Sequence, residues 1–373
     1  MPRNFFINPY NFVPLGEKPL IKPETDEVGH LWFDKDRKSG KIHYSLKFVT
    51  PFIIPGKQTP GTEEKEGDIK FYTYTKGDGK EYLAIPGSRL RGHILNLMRA
   101  INSSPVTQFY NHEIFTGKYY RGNVESKVNN AQKGFPNGSI VQGFSGSASD
   151  KEEGMKSRLW FEMVMGPQKS DVKIERKNLR ILSSQPPKSH NFYLKGGDYD
   201  CPNSKIRGRK FYWHNPHWKE KMWDNEDTGK GEYGFENAFP DDNKKQWSQA
   251  DVAIPDTKNR VEFKGTIRFF NLTNDELNLL KTALVGIGNL ENTDSCLKQS
   301  GQSGWKKWCH KIGHARPFIG SAYIEITGIE LLEFKEGYIP SLNGGKSEDE
   351  FGQLTAWQND KITNSVPTYI KAL

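Results

Sequence analysis

The chain has 373 residues, of which 35% are hydrophobic, and a mean hydropathy of −0.75; it holds no apolar run long enough to cross a bilayer as a helix. Its 53 Lys and Arg exceed its 45 Asp and Glu, giving a net charge of +8 and a pI near 9.0, which favours polyanionic partners over membranes. Three widely spaced cysteines (Cys201, Cys296 and Cys309) and an N-terminus without a signal-peptide pattern argue against a secreted, disulfide-built protein and predict a cytoplasmic one.

Residues 1–40, rich in Pro, Asn and Gly, read as an N-terminal arm. Ile42, Tyr44, Leu46 and Phe48 then alternate with polar residues, which predicts a strand over 42–49. A polar loop is expected from Pro55 to Gly79, with Glu63, Glu64, Glu66 and Asp68 near its centre. "IPGSRLRGHILNLMRAI" (85–101) reads as a sharp turn followed by a helix. Leu90, Ile94, Leu97, Met98 and Ile101 form its buried stripe, and Ser88 is placed to cap it. Arg89, Arg91, His93 and Arg99 fall largely off that stripe, and a helix start flanked by arginines suits a phosphate. A capped amphipathic helix with solvated arginines is the plainer reading of the same residues.

Loop-forming residues dominate 103–157, and "RLWFEMVM" (158–165) reads as a strand. Residues 166–259 read as an irregular basic and aromatic insertion. Order returns with "RVEFKGTIRFF", a strand, and "LTNDELNLLKTAL", a helix opened by a Thr273–Glu276 capping box. "SAYIEITGIELLEF" (321–334) is a strand or strand pair, and 335–373 a polar tail. The chain thus divides into an arm (1–40), a first half-core with inserted loops (41–165), the insertion (166–259), a second half-core (260–334) and the tail (335–373). The element order is β-α-β-β-α-β, so the expected fold class is α+β, ferredoxin-like and similar to RNA-recognition modules.

Two segments combine cations with rings. Lys205–Lys221 holds six Lys or Arg and one acid, interleaved with Phe211, Tyr212, Trp213 and Trp218. Trp305–Phe318 holds Lys306, Lys307, Lys311, Arg316, His310 and His314 with Trp308 and no acid. Such interleaving suits single-stranded nucleic acid, whose phosphates follow the charge and whose bases stack on the rings.

In order along the chain, "NPYNFVPL" (8–15), "IPGSRLRGHILNLMRA", "VQGFSGSA" with "SRLWFEM", "IRGRKFYWH" (206–214), "LTNDELNLLKTAL" and "HKIGHARPFIGSAYIEI" resemble the RAMP superfamily of CRISPR-associated proteins. The nearest likeness is to type III effector backbone subunits of the III-D-like branch. The resemblance implies a ferredoxin-like core that binds guide RNA, stacks with other RAMP subunits into a filament and presents complementary target RNA for cutting. It implies that Asp68, in a loop between the first strand and the IPGS turn, cleaves target RNA, with Mg or another divalent cation as cofactor. A solvated acidic loop is the alternative for Asp68. Guide contact is assigned to Ser88, Arg89, Arg91 and His93, to Arg207, Arg209 and Lys210, and to Lys311, His314 and Arg316.

Three rivals remain: a non-cleaving structural subunit, a stand-alone guide-processing ribonuclease using a histidine such as His43 or His93, and a generic RNA-binding module outside CRISPR systems. Cys309, His310 and His314, or His214 and His217, lack the paired spacing of a structural zinc site, so zinc is not expected. No P-loop, GxSxG or HExxH motif occurs.

Overall fold

Alternation of side chains builds the central element. Ile42, Tyr44, Leu46 and Phe48 are all buried on one face of an eleven-residue strand, Lys38–Phe48, while Lys41, His43 and Lys47 look the other way. The structure, a computed structural model, describes residues 10–14, 20–21, 36–62, 65, 67–103, 157–180, 194–195, 205–212, 247–255, 260–286, 308–313, 319–333 and 341–345. In chain order its strands are β1 (Tyr10–Val13), β2 (Lys38–Phe48), β3 (Pro55–Thr59), β4 (Gly67–Phe71), β5 (Thr73–Thr75), β6 (Glu81–Ile85), β7 (Leu159–Phe161), β8 (Val164–Gln168), β9 (Ile174–Arg180), β10 (Leu194–Lys195), β11 (Lys205–Ile206), β12 (Arg209–Tyr212), β13 (Trp247–Ala253), β14 (Glu262–Leu272), β15 (His310–Lys311), β16 (Ser321–Glu333) and β17 (Ser341–Gly345). Helix α1 spans Gly87–Ile101 and α2 spans Asn274–Val285.

The protein is α+β and strand-rich. Its nine-stranded sheet runs β15-β16-β2-β14-β8-β6-β5, with β17 paired to β16 and β7 to β14. At its centre, β16, β2, β14 and β7 are neighbours and every pairing is antiparallel. Taking β2, β7, β14 and β16 as first to fourth in the chain, they lie in the spatial order fourth, first, third, second. Both helices pack on one face: α1 against α2 and β7, α2 against β14 and β16. Leu90, Ile94, Leu97 and Met98 of α1 meet Leu277, Leu280 and Leu284 of α2 and the inward row of β2 in a single core. A separate four-stranded sheet, β3-β4-β13-β9, includes one parallel pair, β4 with β13, over a small core of Ile53, Ile69, Leu179, Ala250, Val252 and Ile319.

Several expectations need correction. The expected loop over 55–79 carries three strands, so Asp68 sits on β4 and not in a loop. Gly67-Asp68-Ile69-Lys70-Phe71 has a buried glycine and two buried apolar residues alternating with its two charged ones, a pattern hidden by the acidic residues before it. The stretch 166–259 contributes β9 to β13, and β17 lies within the expected polar tail. Main-chain pairing with β16 makes a strand of "SLNGG" without an apolar row. The expected strand over 158–165 is two strands. It breaks after Phe161, because β7 pairs with β14 while β8 turns to pair with β6 as well.

A buried ion pair fixes the junction of β7, β14 and α2. Arg158 donates to both carboxylate oxygens of Glu276 and, 2.6 Å away, to the Asn271 carbonyl. The Arg158 carbonyl accepts from Phe270, and Asn271, at φ 49°, donates to Ser39 Oγ. Glu276 also accepts from the Thr273 amide while the Thr273 side chain accepts from the Glu276 amide, so the expected capping box is formed. Both charges are under 9% exposed, so removing either buries the other without its counter-ion. Glu276→Ala is expected to cost about 3–5 kcal/mol and Thr273→Ala about 1 kcal/mol; urea unfolding of the two variants beside the parent measures both.

Candidate nucleic-acid interface

The start of α1 is set by a close approach. Strand β6 runs through Pro86, at φ −55° and ψ 130°, directly into the helix. A Cβ on Gly87 would lie 2.1 Å from the Phe161 carbonyl oxygen and 2.7 Å from that of Glu162, so only glycine fits against the end of β7. The helix therefore begins at Gly87 and Ser88 lies inside its first turn. No side chain caps this end, which corrects the expectation that Ser88 is the cap. Ser88 and Arg89 are exposed, and Arg91 and Arg99 are half-buried.

Three guanidiniums converge from two elements. Burial, and then the charge of Arg91, lower the pKa of Arg99. Burial, and then the charge of Arg99, push Arg209 of β12 down to about 10. Arg91 and Arg209 were both expected at the interface; Arg99, which links them, was not among the assigned contacts. Its spacing of two helical turns from Arg91 is the signal that could have found it. Strand β12 is held by antiparallel pairing with β1, Arg209 facing Val13 and Lys210 facing Phe12. Gly208, at φ 144°, brings its backbone against the Val13 carbonyl, 1.9 Å from where a Cβ would stand. The space beside this glycine is thus filled by the chain itself. Arg207 is exposed. The Lys210 ammonium lies 5.4 Å from the Tyr212 ring centre, and burial lowers its pKa.

The late segment is turned inward where it is described. Lys311 donates to the Ile319 carbonyl, and burial pushes its ammonium down to about 7. His310 is fully buried and its Nε2 lies 2.6 Å from the Leu284 carbonyl. A carbonyl only accepts, so Nε2 carries the proton and Nδ1 accepts from His93 Nε2 at 3.0 Å. His93 is thereby tied to the end of α2 through His310. The expected contacts His314 and Arg316 lie outside the described residues, as do His214 and His217. His43 lies on the opposite face of the sheet, between Thr266 Oγ1 and a Glu330 oxygen 2.9 Å away. The sheet therefore separates His43 from His93.

Asp68 belongs to the other sheet. Its Oδ1 accepts from Arg176 Nη2 at 2.6 Å and its Oδ2 lies 3.5 Å from Lys70 Nζ. Partial desolvation works to raise its carboxyl; the Arg176 hydrogen bond and charge, with Lys70, outweigh this and hold it below its ordinary value. The group is a carboxylate at neutral pH, able to orient or deprotonate a hydroxyl. Among the described residues no group of three or more His, Cys, Asp or Glu stands ready for a metal. Asp68 and Asp251 both bond one guanidinium, so as a donor set they do not fit the expected divalent cation without displacing Arg176. Cys309 is buried, its thiol pushed up to about 12 by burial.

Burial lowers His310 from 6.5 to about 4, so the folded chain resists the proton that the unfolded chain accepts. Stability is therefore full above about pH 6.5 and falls as the pH drops from there toward 4, by up to about 3 kcal/mol. His310→Gln keeps a donor for Leu284 and an acceptor for His93 without titrating; urea unfolding across this range should show a shallower acid loss than the parent.

No family model matches the chain, and no curated protein does. Among described helices none is long and apolar enough to cross a membrane. Among solved structures the chain is similar to the crystal structure of Csc2 from Thermofilum pendens, at 12% identity and a TM-score of 0.32, over 93% of this chain and 84% of that one.

Proposed function

We propose that the chain is a guide-RNA-binding backbone subunit of a type III, III-D-like, CRISPR effector complex. In this reading the strands in the order fourth, first, third, second, with two helices on one face, are a ferredoxin-like RAMP core. Neighbouring RAMP subunits stack on it as a filament in the cytoplasm, each gripping a stretch of guide, and complementary target RNA pairs with the exposed bases. The observation that carries the reading is the convergence of Arg91, Arg99 and Arg209. Guanidiniums that act on one another's charge can each donate in pairs to the phosphate oxygens of an RNA backbone. The exposed Ser88 and Arg89 lie in the first turn of the same helix.

The test is purification of the chain from cells carrying a matching repeat array. It is expected to bring down short RNAs of uniform length that share a repeat-derived end. Replacing Arg91, Arg99 and Arg209 together by Gln should weaken retention of that RNA at moderate salt. It should also reduce the slope of log affinity against log salt by about 2, roughly 0.7 for each lost phosphate contact on a single strand. An unchanged slope, with the unfolding midpoint retained, would remove the arginines from the interface.

Within this reading Asp68 is the residue that cuts target RNA. Its carboxylate takes the proton of a ribose 2′-hydroxyl, the 2′-oxygen bonds to the adjacent phosphorus, and the bond from phosphorus to the 5′-oxygen breaks, that oxygen leaving with a solvent proton. Asp68→Asn is expected to lower cleavage by the assembled complex at least about 100-fold. A second reading, a subunit that binds without cutting, is favoured by the engagement of Asp68 with Arg176 and Lys70. An unaltered cut pattern from the Asp68→Asn complex would decide for it.

A further inference from the structure

The surroundings of Asp68 are built from three adjacent strands. Asp68 on β4 faces Gln249 on β13, and Asp251 on β13 faces Arg176 on β9. Arg176 bridges the cluster: Nη2 donates to Asp68 Oδ1 at 2.6 Å and to Gln249 Oε1 at 3.4 Å, and Nη1 donates to Asp251 Oδ1 at 2.7 Å. Lys70 stands 3.5 Å from Asp68 Oδ2 and 4.0 Å from Asp251 Oδ1. Exposure is graded. The Asp251 side chain is 11% exposed, Asp68 and Arg176 are 36% and 38%, and Lys70 is 49%. Asp251 is thus the floor of the cluster, and the other three open to solvent.

As a stabilising device the open part is weak, since exposed pairs contribute at most about 1 kcal/mol. The strands are already joined by main-chain pairing and by Ile69, Leu179, Ala250 and Val252 beneath them. What the arrangement does provide is a carboxylate with one oxygen fixed by a guanidinium and the other met, among the described residues, by a half-exposed lysine at 3.5 Å. The second oxygen is the one open to a hydroxyl proton. Arg176 and Lys70 place positive charge beside it, where the phosphate next to that hydroxyl gains negative charge as the 2′-oxygen attacks.

We propose that Arg176, anchored from below by Asp251, is the positioning residue for Asp68, and that with Lys70 it makes this strand face a site for an RNA phosphodiester carrying a free 2′-hydroxyl. The inference rests on Asp68 being the cutting residue. Arg176 orients the carboxylate through Oδ1 and keeps it ionised, and Lys70 meets the phosphate.

The test uses the assembled complex with its guide, comparing Asp68→Asn, Arg176→Gln and Arg176→Lys for single-turnover target cleavage from pH 4 to pH 8 and for target binding. Arg176→Gln is expected to cut at least tenfold more slowly with target at saturation. Its acid limb should move to higher pH, because losing the guanidinium raises the carboxyl toward its ordinary value and the reaction needs the carboxylate. Arg176→Lys keeps the charge but cannot bridge both aspartates, so it should recover part of the rate and part of the limb. It also decides the matter if the Gln variant does not assemble. If Asp68→Asn abolishes cutting while the Arg176 variants keep the parental rate and acid limb, the positioning role is overturned and the Asp68 assignment stands. If Asp68→Asn cuts normally, both are overturned.

Discussion

A guanidinium under the sheet must be answered by a carboxylate, and the Arg158–Glu276 pair is where this chain meets that demand. The same carboxylate closes the capping box of α2, and the same guanidinium holds the Asn271 carbonyl at the end of β14. Three elements far apart in sequence are therefore referenced to one point. Strand β7 leaves that point and ends three residues later at Phe161, whose carbonyl leaves room only for Gly87. The position of α1, and of the arginines along it, follows from where a buried charge had to be neutralised.

That chain of constraint divides the labour of α1. Leu90, Ile94, Leu97 and Met98 bury one side against α2 and β2. Arg91 and Arg99 are carried on the half-exposed remainder, where β12 brings Arg209 toward them. Strand β12 can sit so close to β1 because Gly208 tolerates a backbone angle and an approach that a side chain would forbid. Two glycines, Gly87 at the start of α1 and Gly208 before β12, thus serve chain packing and deliver charge indirectly.

Much of this was legible in sequence where local rules apply. Alternation in β2, the stripe of α1 and the Thr273–Glu276 box each depend on residues within a turn or two of one another. The failures share a cause. Strands β3, β4 and β17 take their form from neighbours far away in the chain, and their own residues are glycine-rich or charged. Ser88 has the chemistry of a cap, but the Gly87 contact with Phe161 starts the helix one residue earlier. Asp68 stood out through its resemblance to a family position, whereas Arg176 and Asp251 had no local mark. Their meaning comes from pairings across 108 and 75 residues.

The parallel pairing of Gly67 with Ser248 carries a kinetic consequence. Long-range parallel contacts repay their loop-closure entropy only after the intervening chain is collected, so they form late. The nine-stranded sheet carries longer closures still, β2 with β14 and β2 with β16, although all its pairings are antiparallel. Asp68 meets Gln249 and Arg176 only when the smaller sheet closes. All four strands of the smaller sheet precede β14, α2 and β16 in the chain, so during synthesis the Asp68 cluster can pair before α1 gains the rest of its core.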